Sequence, residues 1–480
     1  MNLAEVRRFL DRRWDEELIP RLVDYVRVPA KSPSFDASWA AHGHLASVVK
    51  DAHAWAAAQR IAGMRLEIVA IEGRTPCLFF DVPATGGLGN VRTVLFYGHL
   101  DKQPEMEGWR EGLGPWQPVI EDGRLYGRGA ADDGYAIYAA LSVIAALDAQ
   151  ATARPRCVGI IETCEESGSP DLPAYLELLA PRLGEVALVA GLDSGCGNYD
   201  QLWVTTSLRG LVGGTLTVEV LSEAVHSGNA SGLVPSSMRI ARQLLNRIDE
   251  PATGRVLDEV FHAAIPAERL AQARVAGEIL GEQVWRQFPW VGCSHGEGGF
   301  AHAMPTTTDP VEGILNRTWR PALSVTGAAG FPAIDSAGNV LRPKTTFKLS
   351  LRLPPTVDGG RATAQLRALL EADPPYNARV TFDADCGATG WSAPPTAPWL
   401  ARAADEASHA AFGRAAAWMG EGGTIPFMNM LGEKFPDAQF LITGVLGPKS
   451  NAHGPNEFLH IDCVKKLSAA VASIVARLPA

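Results

Sequence analysis

The chain has 480 residues, of which 46% are hydrophobic and 20% are charged, and its formal net charge is −10 at pH 7. This length predicts at least two domains, because a single hydrophobic core rarely grows to that size. The negative charge argues against a nucleic-acid-binding protein, which normally has a basic face. No hydrophobic run reaches the roughly 18 residues of a transmembrane helix, so we expect no membrane partner.

Helical and strand patterns alternate through the first 200 residues. The spacing of hydrophobic residues predicts amphipathic helices over residues 3–28 and 40–60. The segments that follow are strands at RLEIVA, CLFFDV and TVLFYG, a helix at GYAIYAALSVIAALDA, a strand at RCVGIIET, a helix at DLPAYLELLAPRL and a strand at VALVAGLD. Such alternation is typical of a mostly parallel sheet with helices on both faces. In that architecture ligands bind at the carboxyl ends of the strands.

The pattern changes near residue 208, where strands of period two begin. GGTLTVEVL, TTFKLSLRLP and ARVTFDAD alternate hydrophobic and polar residues, as antiparallel strands with one exposed face do. Helices are predicted over residues 234–248 and at RATAQLRALLEA. These elements predict a small α+β domain inserted at residues 209–384, with residues 250–340 as an elaboration of it.

From about residue 396 the chain returns to the first pattern. A helix is predicted at WLARAADEASHAAFG, a strand at AQFLITG and a last helix at CVKKLSAAVASIVARL. The α/β domain is therefore predicted to be discontinuous and to span residues 1–208 and 385–480.

The cysteines and the first residues bear on the cellular compartment. The seven cysteines are scattered, odd in number and form no C-x-x-C pair, which favours free thiols over a disulfide framework or a zinc ribbon. The segment MNLAEVRRFLDRRWDEELIP mixes acidic and basic residues and lacks the hydrophobic core of a secretory signal. We therefore expect a cytoplasmic protein in which any metal ion is held by residues other than cysteine.

Acidic residues and histidines recur in predicted turns. The five stretches are GHLD (98–101), GRGAADDG (127–134), ETCEESG (162–168), GLDSG (191–195) and NAHGPNE (451–457). His99, Glu165 and Asp193 each come just after a predicted strand. Two histidines and three carboxylates suffice for two divalent ions if one carboxylate bridges them. Such an ion pair, about 3.5–4 Å apart, suits hydrolysis, because it activates water and polarises the scissile carbonyl.

Two further acids complete this interpretation. A carboxylate that binds a metal ion cannot also accept the proton of water, and the doublet Glu165-Glu166 offers one residue for each task. Asp101 lies two residues from His99, where it can hydrogen-bond the imidazole and select its tautomer. Each stretch alone is compatible with an ordinary surface turn, and only their coincidence at strand ends favours a metal site.

The same stretches carry a resemblance to a known family. GHLD, YGRGAADD, ETCEESGS, DSG, AVHSG, SLRLPP, EGGTIP and HGPNEF resemble, in this order, the motifs of dinuclear zinc metallopeptidases. That family includes carnosinase-type dipeptidases, succinyl-diaminopimelate desuccinylase, aminoacylase and glutamate carboxypeptidase. WRPALSVTG is most similar to the branch of carnosinase and cytosolic dipeptidase. The resemblance implies a three-layer α/β catalytic domain and an inserted α+β, ferredoxin-like lid domain through which the chain forms a homodimer.

The resemblance also implies a metal-ligand set. His99, Asp132 and Asp193 would bind one divalent ion. Glu166 and His453 would bind the second ion, with Asp132 bridging the two. The ions are expected to be zinc, although nitrogen and oxygen ligands of this kind also accept manganese or cobalt.

Catalytic roles follow from the same resemblance. Glu165 would be the general base and then the acid toward the leaving amine, and Asp101 would orient His99. His226 in AVHSG resembles a lid histidine that stabilises the oxyanion in the partner subunit's site. A cis peptide bond is implied between Asp132 and Asp133.

Four residues are predicted to contact the substrate. Arg352 lies on the polar face of its strand, where its guanidinium is suited to bidentate binding of a substrate carboxylate. The resemblance adds Asn339, Gly423 and Thr424 as pocket residues. The expected activity is hydrolysis of the amide bond in dipeptides or similar small amino-acid amides with a free carboxylate. The alternative is an N-acyl (acetyl, succinyl or carbamoyl) amino acid amidohydrolase with the same chemistry.

The chain departs from the dipeptidase branch at several positions. Where many members have Asp-Asp-Lys-Gly, this chain has Asp-Asp-Gly-Tyr, with Gly134 in place of the lysine. Asn339 replaces a frequent threonine, and GVLGPKSNAHG differs from the loop common there. These changes affect the substrate pocket rather than the predicted metal ligands.

Overall fold

The structure is a computed structural model that describes residues 1–89, 91–291 and 303–479. Its strands are β1 Arg65–Val69, β2 Cys77–Val82, β3 Arg92–His99, β4 Val119–Glu121, β5 Arg124–Tyr126, β6 Arg156–Glu162, β7 Glu185–Gly191, β8 Trp203–Leu208, β9 Gly210–Glu219, β10 Val225–His226, β11 Ala322–Ala329, β12 Val340–Leu341, β13 Lys344–Leu353, β14 Arg379–Ala388, β15 Trp391–Ser392, β16 Ala417–Glu421, β17 Gln439–Ile442 and β18 Phe458–His460. Its helices are α1 Leu3–Arg13, α2 Ile19–Val26, α3 Trp39–His42, α4 His44–Ala58, α5 Ala136–Ala149, α6 Leu172–Leu183, α7 Ser227–Ala230, α8 Ser237–Leu245, α9 Ala267–Leu280, α10 Gln283–Arg286, α11 Pro310–Thr318, α12 Gly359–Glu371, α13 Pro398–Phe412, α14 Pro426–Lys434 and α15 Ile461–Val475.

A six-stranded mixed sheet organises the larger part of the chain. Its strand order is β1-β2-β6-β3-β7-β17. The strands β6, β3, β7 and β17 run parallel to one another. At one edge of the sheet, β2 pairs antiparallel with β6, and β1 pairs antiparallel with β2. Because β3 is buried from Thr93 to His99, its sequence is a continuous hydrophobic run rather than an alternating one. The predicted, mostly parallel α/β sheet is confirmed.

Helices cover both faces of this sheet. One face packs against α1, α2, α4, α5, α13 and α15, and the other face packs against α6 and α14. Helix α5 is buried on nearly every side, which explains why its sequence shows almost no polar face. Trp14, in the π-helical turn between α1 and α2, is fully buried and donates a hydrogen bond from Nε1 to Ser468 Oγ. None of the described helices combines the length and hydrophobicity that a membrane span requires.

A separate antiparallel sheet has the strand order β11-β13-β9-β14. The period of two in β13 buries Leu349, Leu351 and Leu353 against α8 and α12, while the alternate residues face away from this core. Helix α8 is shorter than the predicted span of 234–248, and its start is fixed by Ser236, which caps it by accepting a hydrogen bond from Arg239 N. The domain boundaries 1–208, 209–384 and 385–480 stay a prediction.

A third sheet has three strands in the order β15-β8-β16. In the sequence, β8 comes directly before the strands of the antiparallel sheet, and β15 and β16 come after them. Its strands β8 and β16 are parallel neighbours. Helices α9, α10 and α11 pack on it, although they belong to the segment that the sequence suggests is an elaboration of the inserted domain. The six described cysteines are free thiols, and Cys293 lies outside the described residues.

Candidate metal centre

Three neighbouring parallel strands bring their polar residues to one edge of the main sheet. Strand β3 ends at His99, β6 ends three residues before Glu165, and β7 ends two residues before Asp193. Since β6, β3 and β7 are adjacent and parallel, their carboxyl ends lie side by side. The turn after β6 is a short 3-10 helix that presents Glu165 and Glu166 together.

Two loops from elsewhere in the chain complete the cluster. Asp132 lies in the turn before α5, and the peptide bond between Asp132 and Asp133 is cis, as the resemblance implies. His453 lies between β17 and β18 with a φ of 64°, in the left-handed region. The two loops therefore approach the strand ends from outside the main sheet.

The distances show how closely these side chains meet. His99 Nε2 lies 3.3 Å from Asp132 Oδ1 and 3.6 Å from Asp193 Oδ2. His453 Nε2 lies 3.0 Å from Asp132 Oδ2 and 3.2 Å from Glu166 Oε2. Asp132 thus contacts both imidazoles, one through each carboxylate oxygen. This arrangement is compatible with a bridging ligand between two ions.

The cluster concentrates negative charge away from water. Burial raises the pKa of Glu165 and of Glu166 well above the ordinary range, and the neighbouring carboxylates raise it further. Burial likewise raises the pKa of Asp193, and Asp132 adds to the effect. Burial alone would lower the pKa of His99, but contacts with three carboxylates outweigh it and raise that pKa. Divalent cations would relieve this crowding of acids.

Unsatisfied atoms provide an independent test of the metal prediction. Among the described residues, His99 Nε2 and Glu166 Oε1 are buried without a hydrogen-bond partner. Native structures rarely leave such atoms unpaired unless an ion or a water satisfies them. Ligand atoms of His99, Asp132 and Glu166 lie within 4.8 Å of one another, and so do those of His99, Glu165 and Asp193. The residues present therefore fit a pair of divalent ions with nitrogen and oxygen ligands.

Asp101 contacts more than the histidine that the sequence pairs it with. Its carboxylate Oδ1 lies 3.5 Å from His99 Nδ1, while its backbone oxygen lies closer to that atom, at 3.1 Å. The two carboxylate oxygens accept hydrogen bonds from the backbone amides of Glu165, at 3.1 Å, and Glu166, at 3.0 Å. Asp101 is fully buried and thereby connects the β3 end to the turn that presents both glutamates.

A buried ion pair that the sequence did not indicate supports the His453 loop. Arg128 Nη1 lies 2.5 Å from Glu457 Oε2, and both side chains are almost fully buried. Arg128 Nη2 also donates to the carbonyl oxygens of His453 and Gly454, each at 2.9 Å, and Gly129 N donates to Glu457 Oε1 at 2.9 Å. Arg128 belongs to the stretch YGRG and Glu457 to the stretch HGPNE. The two residues are 329 positions apart, so the sequence does not show that they pair.

The sequence also did not indicate other contacts that support the predicted metal ligands. Gln103 Nε2 donates to Glu166 Oε2 at 2.6 Å, and His99 N donates to Asp133 Oδ2 at 3.3 Å. At Gly134, where many members of the similar dipeptidase branch have a lysine, a Cβ would lie 2.1 Å from Tyr25 Cε1. Close packing of Tyr25 thus gives a steric reason for glycine at this departure from the family pattern.

The predicted substrate residues form two separate groups. Arg352 Nη1 donates to Thr424 Oγ1 at 2.8 Å, so these two residues meet beside Gly423. His226 and Asn339 are brought together on the strands of the inserted segment, where Ser227 N donates to Asn339 O at 2.9 Å. Within the described residues, no hydrogen bond or ion pair joins His226 to the candidate metal centre.

Comparison with known proteins places this geometry in context. The model of peptidase family M20/M25/M40 matches residues 95–477. The cysteinylglycine-S-conjugate dipeptidase of Corynebacterium striatum is 25% identical over 374 residues, which are 77% of this chain and 77% of that protein. The Cys-Gly metallodipeptidase DUG1 of Saccharomyces cerevisiae is 27% identical over 389 residues, 77% of this chain and 76% of that protein. Human carnosine dipeptidase 1 has the same fold, with a TM-score of 0.76 at 21% identity over 99% of this chain and 98% of that chain.

The helix-covered α/β sheet and its edge of imidazoles and carboxylates are those of a metal-dependent hydrolase. More particularly, the match over residues 95–477 shows that the chain belongs to peptidase family M20/M25/M40. The predicted family, fold class and metallopeptidase class are thereby confirmed. The roles of individual residues stay predictions.

Proposed function

We propose that the chain is a dinuclear metallopeptidase that hydrolyses the amide bond of dipeptides with a free carboxylate. The observation that carries this proposal is the contact of Asp132 with both His99 and His453 at the carboxyl edge of the sheet. Two of the similar proteins are dipeptidases by name, which supports a dipeptide substrate. The predicted catalytic and metal-binding residues lie in segments that are distant in the sequence and meet only in the folded chain.

The proposed ligand set uses five side chains. His99, Asp132 and Asp193 would hold one ion, and Asp132, Glu166 and His453 would hold the other. We propose zinc as the ion, with manganese or cobalt as ions that the same nitrogen and oxygen ligands accept. Bound there, the two ions would supply a water of lowered pKa and polarise the scissile carbonyl.

Glu165 is the proposed proton carrier. Its carboxylate makes no hydrogen bond with another described residue, while its backbone amide is held by Asp101. Burial raises the pKa of this carboxylate, which is the direction that suits a general base working near neutral pH. It accepts the proton of the attacking water and then donates that proton to the leaving amine. Asp101 keeps the turn of Glu165 and Glu166 in register with His99.

Arg352 is the proposed anchor for the substrate carboxylate. Its guanidinium is half-buried at the end of β13 and touches Thr424, beside Gly423. A planar guanidinium binds a carboxylate through two parallel hydrogen bonds, which orients as well as attracts the substrate.

The oxyanion role of His226 and the substrate role of Asn339 require the inserted domain to approach a catalytic centre. Both residues are exposed, and they lie together on β10 and beside β12. We propose a homodimer through the inserted domain, in which His226 acts in the partner's site. The edge strand β11, with Val325 46% exposed, supports such an interface. Sedimentation velocity of the purified chain tests the homodimer, and a monomer at micromolar concentration would contradict it.

We also propose a cytoplasmic location. Its support is the state of the six described cysteines, all of which are free thiols. Free thiols are usual in a reducing compartment. Cell fractionation with antibody detection tests the location.

A substrate panel separates the proposed activity from its alternative. Purified protein is loaded with zinc, manganese or cobalt and given dipeptides beside N-acetyl, N-succinyl and N-carbamoyl amino acids. We expect hydrolysis of dipeptides at the higher kcat/KM. Faster release of the acyl or carbamoyl group would favour an amidohydrolase and reject the dipeptidase proposal.

Glu165→Ala tests the division of work within the glutamate doublet. We expect the variant to keep two ions per chain in elemental analysis and to lose at least about hundredfold in kcat, as removal of a general base does. Glu166→Ala is the matched comparison and should lose metal. The reverse pattern would show that the two glutamates exchange roles.

Arg352→Ala tests the carboxylate anchor. We expect kcat/KM for a dipeptide to fall by about tenfold or more, since hydrogen bonds to a charged group are lost. Arg379→Ala is the control, because Arg379 is a 78% exposed arginine on β14 of the same sheet. An unchanged kcat/KM in Arg352→Ala would reject the anchor.

A further inference from the structure

Three arginines from distant parts of the chain converge beside residues 422–424. Arg209 directly follows β8, Arg317 lies in the last turn of α11, and Arg352 lies on β13. All three side chains are half-buried. Only Arg352 belongs to the substrate residues predicted from the sequence, so the other two need an explanation of their own.

The small parallel sheet brings Arg209 to this position. Leu208 and Glu421 are paired at the carboxyl ends of β8 and β16, so Arg209 and Gly422 leave the sheet side by side. Arg209 N donates to the carbonyl oxygen of Gly423, the residue after Gly422, at 3.0 Å. The carboxyl end of a parallel pair is where α/β proteins bind ligands.

Close contacts around Gly422 join the arginines. A Cβ on Gly422 would lie 3.2 Å from Arg209 Nη2 and 3.3 Å from Arg317 Cγ, so the glycine leaves room for both side chains. Two residues further along, Thr424 Oγ1 accepts the hydrogen bond from Arg352 Nη1. The three side chains therefore surround one segment.

Among the described residues, no carboxylate is in ion-pair contact with these three guanidiniums. The nearest acidic influence is Glu421, because burial raises the pKa of this carboxyl and the positive charge of Arg317 opposes that rise. Arg209 Nε donates to Gly422 O, Arg317 Nη2 contacts Met419 Sδ, and Arg352 Nη1 bonds the Thr424 hydroxyl, all of which are neutral groups. Across residues 1–89, 91–291 and 303–479, none of the three forms an ion pair, and Arg317 Nε is buried without an acceptor. Burial, and then the charges of the other two arginines, lower the pKa of Arg209 to about 10.

The residue directly before Gly422 contacts the loop that carries a predicted metal ligand. Glu421, at the end of β16, turns toward the loop after β7, since a Cβ on Gly195 would lie 2.7 Å from Glu421 Oε1. That loop carries Asp193, two residues earlier. The loop after β7 therefore packs against the end of β16, next to the segment that the arginines surround.

The count of charges determines which ligand fits. The free carboxylate of a dipeptide carries one negative charge and satisfies one guanidinium through a bidentate pair. Since Glu421 opposes part of the charge of Arg317, about one positive charge would then remain partly buried without a counter-charge, which is unfavourable. A second carboxylate on the same C-terminal residue would satisfy it, because arginine binds planar carboxylates in a fixed fork geometry.

We propose that Arg209, Arg317 and Arg352 form one anion pocket that selects dipeptides whose C-terminal residue is acidic, glutamate or aspartate. The inference rests on the proposed dipeptidase function and specifies its substrate class. Arg352 holds the main-chain carboxylate, and Arg209 and Arg317 hold the side-chain carboxylate.

Isosteric substrate pairs test the pocket directly. Alanyl-glutamate is compared with alanyl-glutamine, and alanyl-aspartate with alanyl-asparagine, because each pair differs in charge and hardly in shape. We expect the acidic member of each pair to have a kcat/KM at least about tenfold higher, as hydrogen bonds to a charged group predict. A ratio near one or below it overturns the inference, while hydrolysis of the neutral dipeptides leaves the proposed function intact.

The variant Arg317→Gln identifies the pocket as the cause. We expect it to reduce the glutamate-over-glutamine ratio at least about fivefold, mainly through KM. Arg320→Gln is the control, since Arg320 lies three residues away and bonds Glu312 and Asn316 instead. An equal loss of the ratio in the control, or no loss in Arg317→Gln, overturns the assignment.

Direct binding keeps the inference testable if no dipeptide is hydrolysed or if Arg317→Gln fails to fold. Calorimetric titration of the metal-loaded wild-type protein with free glutamate and free glutamine measures the pocket without turnover. Tighter binding of glutamate by about tenfold or more supports the pocket. Equal affinity for the two amino acids overturns it, whatever the activity of the chain.

Discussion

Replacing Glu457 by glutamine tests how the His453 loop is held. The change keeps the size of the side chain and removes its charge, which leaves the Arg128 guanidinium buried beside a neutral group. Breaking a buried ion pair by removing one partner costs about 3–5 kcal/mol. Arg128 also donates to the carbonyl oxygens of His453 and Gly454, so its displacement frees a loop in which His453 has a φ of 64°. Non-glycine residues occupy that region at a cost of about 1–3 kcal/mol and stay there only where their neighbours hold them.

Two measurements follow for Glu457→Gln. The melting temperature of the variant should fall by about 3–5 °C, given the stability loss and the size of the chain. Metal affinity, measured by competition with a chelator, should fall by about 10–100-fold, as it does when the support of a metal ligand is removed. The control is Glu121→Gln, which breaks the exposed ion pair with Arg110 and should leave the melting temperature nearly unchanged, because exposed ion pairs add little to stability. If Glu457→Gln and Glu121→Gln melt together and bind metal equally, the Arg128 pair does not hold the His453 loop.

Three further predictions concern the interior beneath the site. Asp101→Asn should lower kcat by about tenfold or more at unchanged metal content, because the amide side chain cannot accept from both the Glu165 and Glu166 amides; wild-type kcat would contradict this. Burial raises the pKa of Glu162 from 4.5 to about 7, so the contribution of this residue to the free energy of unfolding should fall by about 3 kcal/mol from pH 4.5 to pH 7. Glu162→Gln should remove that dependence in denaturant titrations, and an identical pH profile would refute it. Chelation should lower the melting temperature reversibly, since it leaves the buried acids without cations; an unchanged melting temperature would argue against a resident ion.

Local sequence patterns were sufficient for the elements and for most candidate site residues. The hydrophobic run of β3 predicted a central strand, and the turn after it predicted a ligand at His99, because strand period and burial are local properties. Alternation along β13 likewise predicted that Arg352 faces away from Leu351 and Leu353, which are buried. The helices α9 to α11 were missed, since their hydrophobic residues pack on the small sheet of β8 and β16, which the sequence did not predict.

The supporting contacts depended on the tertiary structure. Asp101 was assigned from its spacing to His99, yet its carboxylate oxygens accept hydrogen bonds from amides 64 and 65 positions away. A sequence contains no signal for which amide will face a buried carboxylate, because that depends on how the strands are ordered in the sheet.

The sequence by itself determined the family, the α/β fold and the candidate residues for two metal ions. Motif order and hydrophobic periodicity are properties of the sequence itself, so they can be recognised without knowing which segments come into contact in the fold. Only the tertiary structure decided that Arg128 pairs with Glu457 and that Arg209 and Arg317 join Arg352 beside Gly422. Each of these groups combines residues separated by 100 positions or more, and their electrostatic effect arises from burial and proximity, which exist only once the chain has folded.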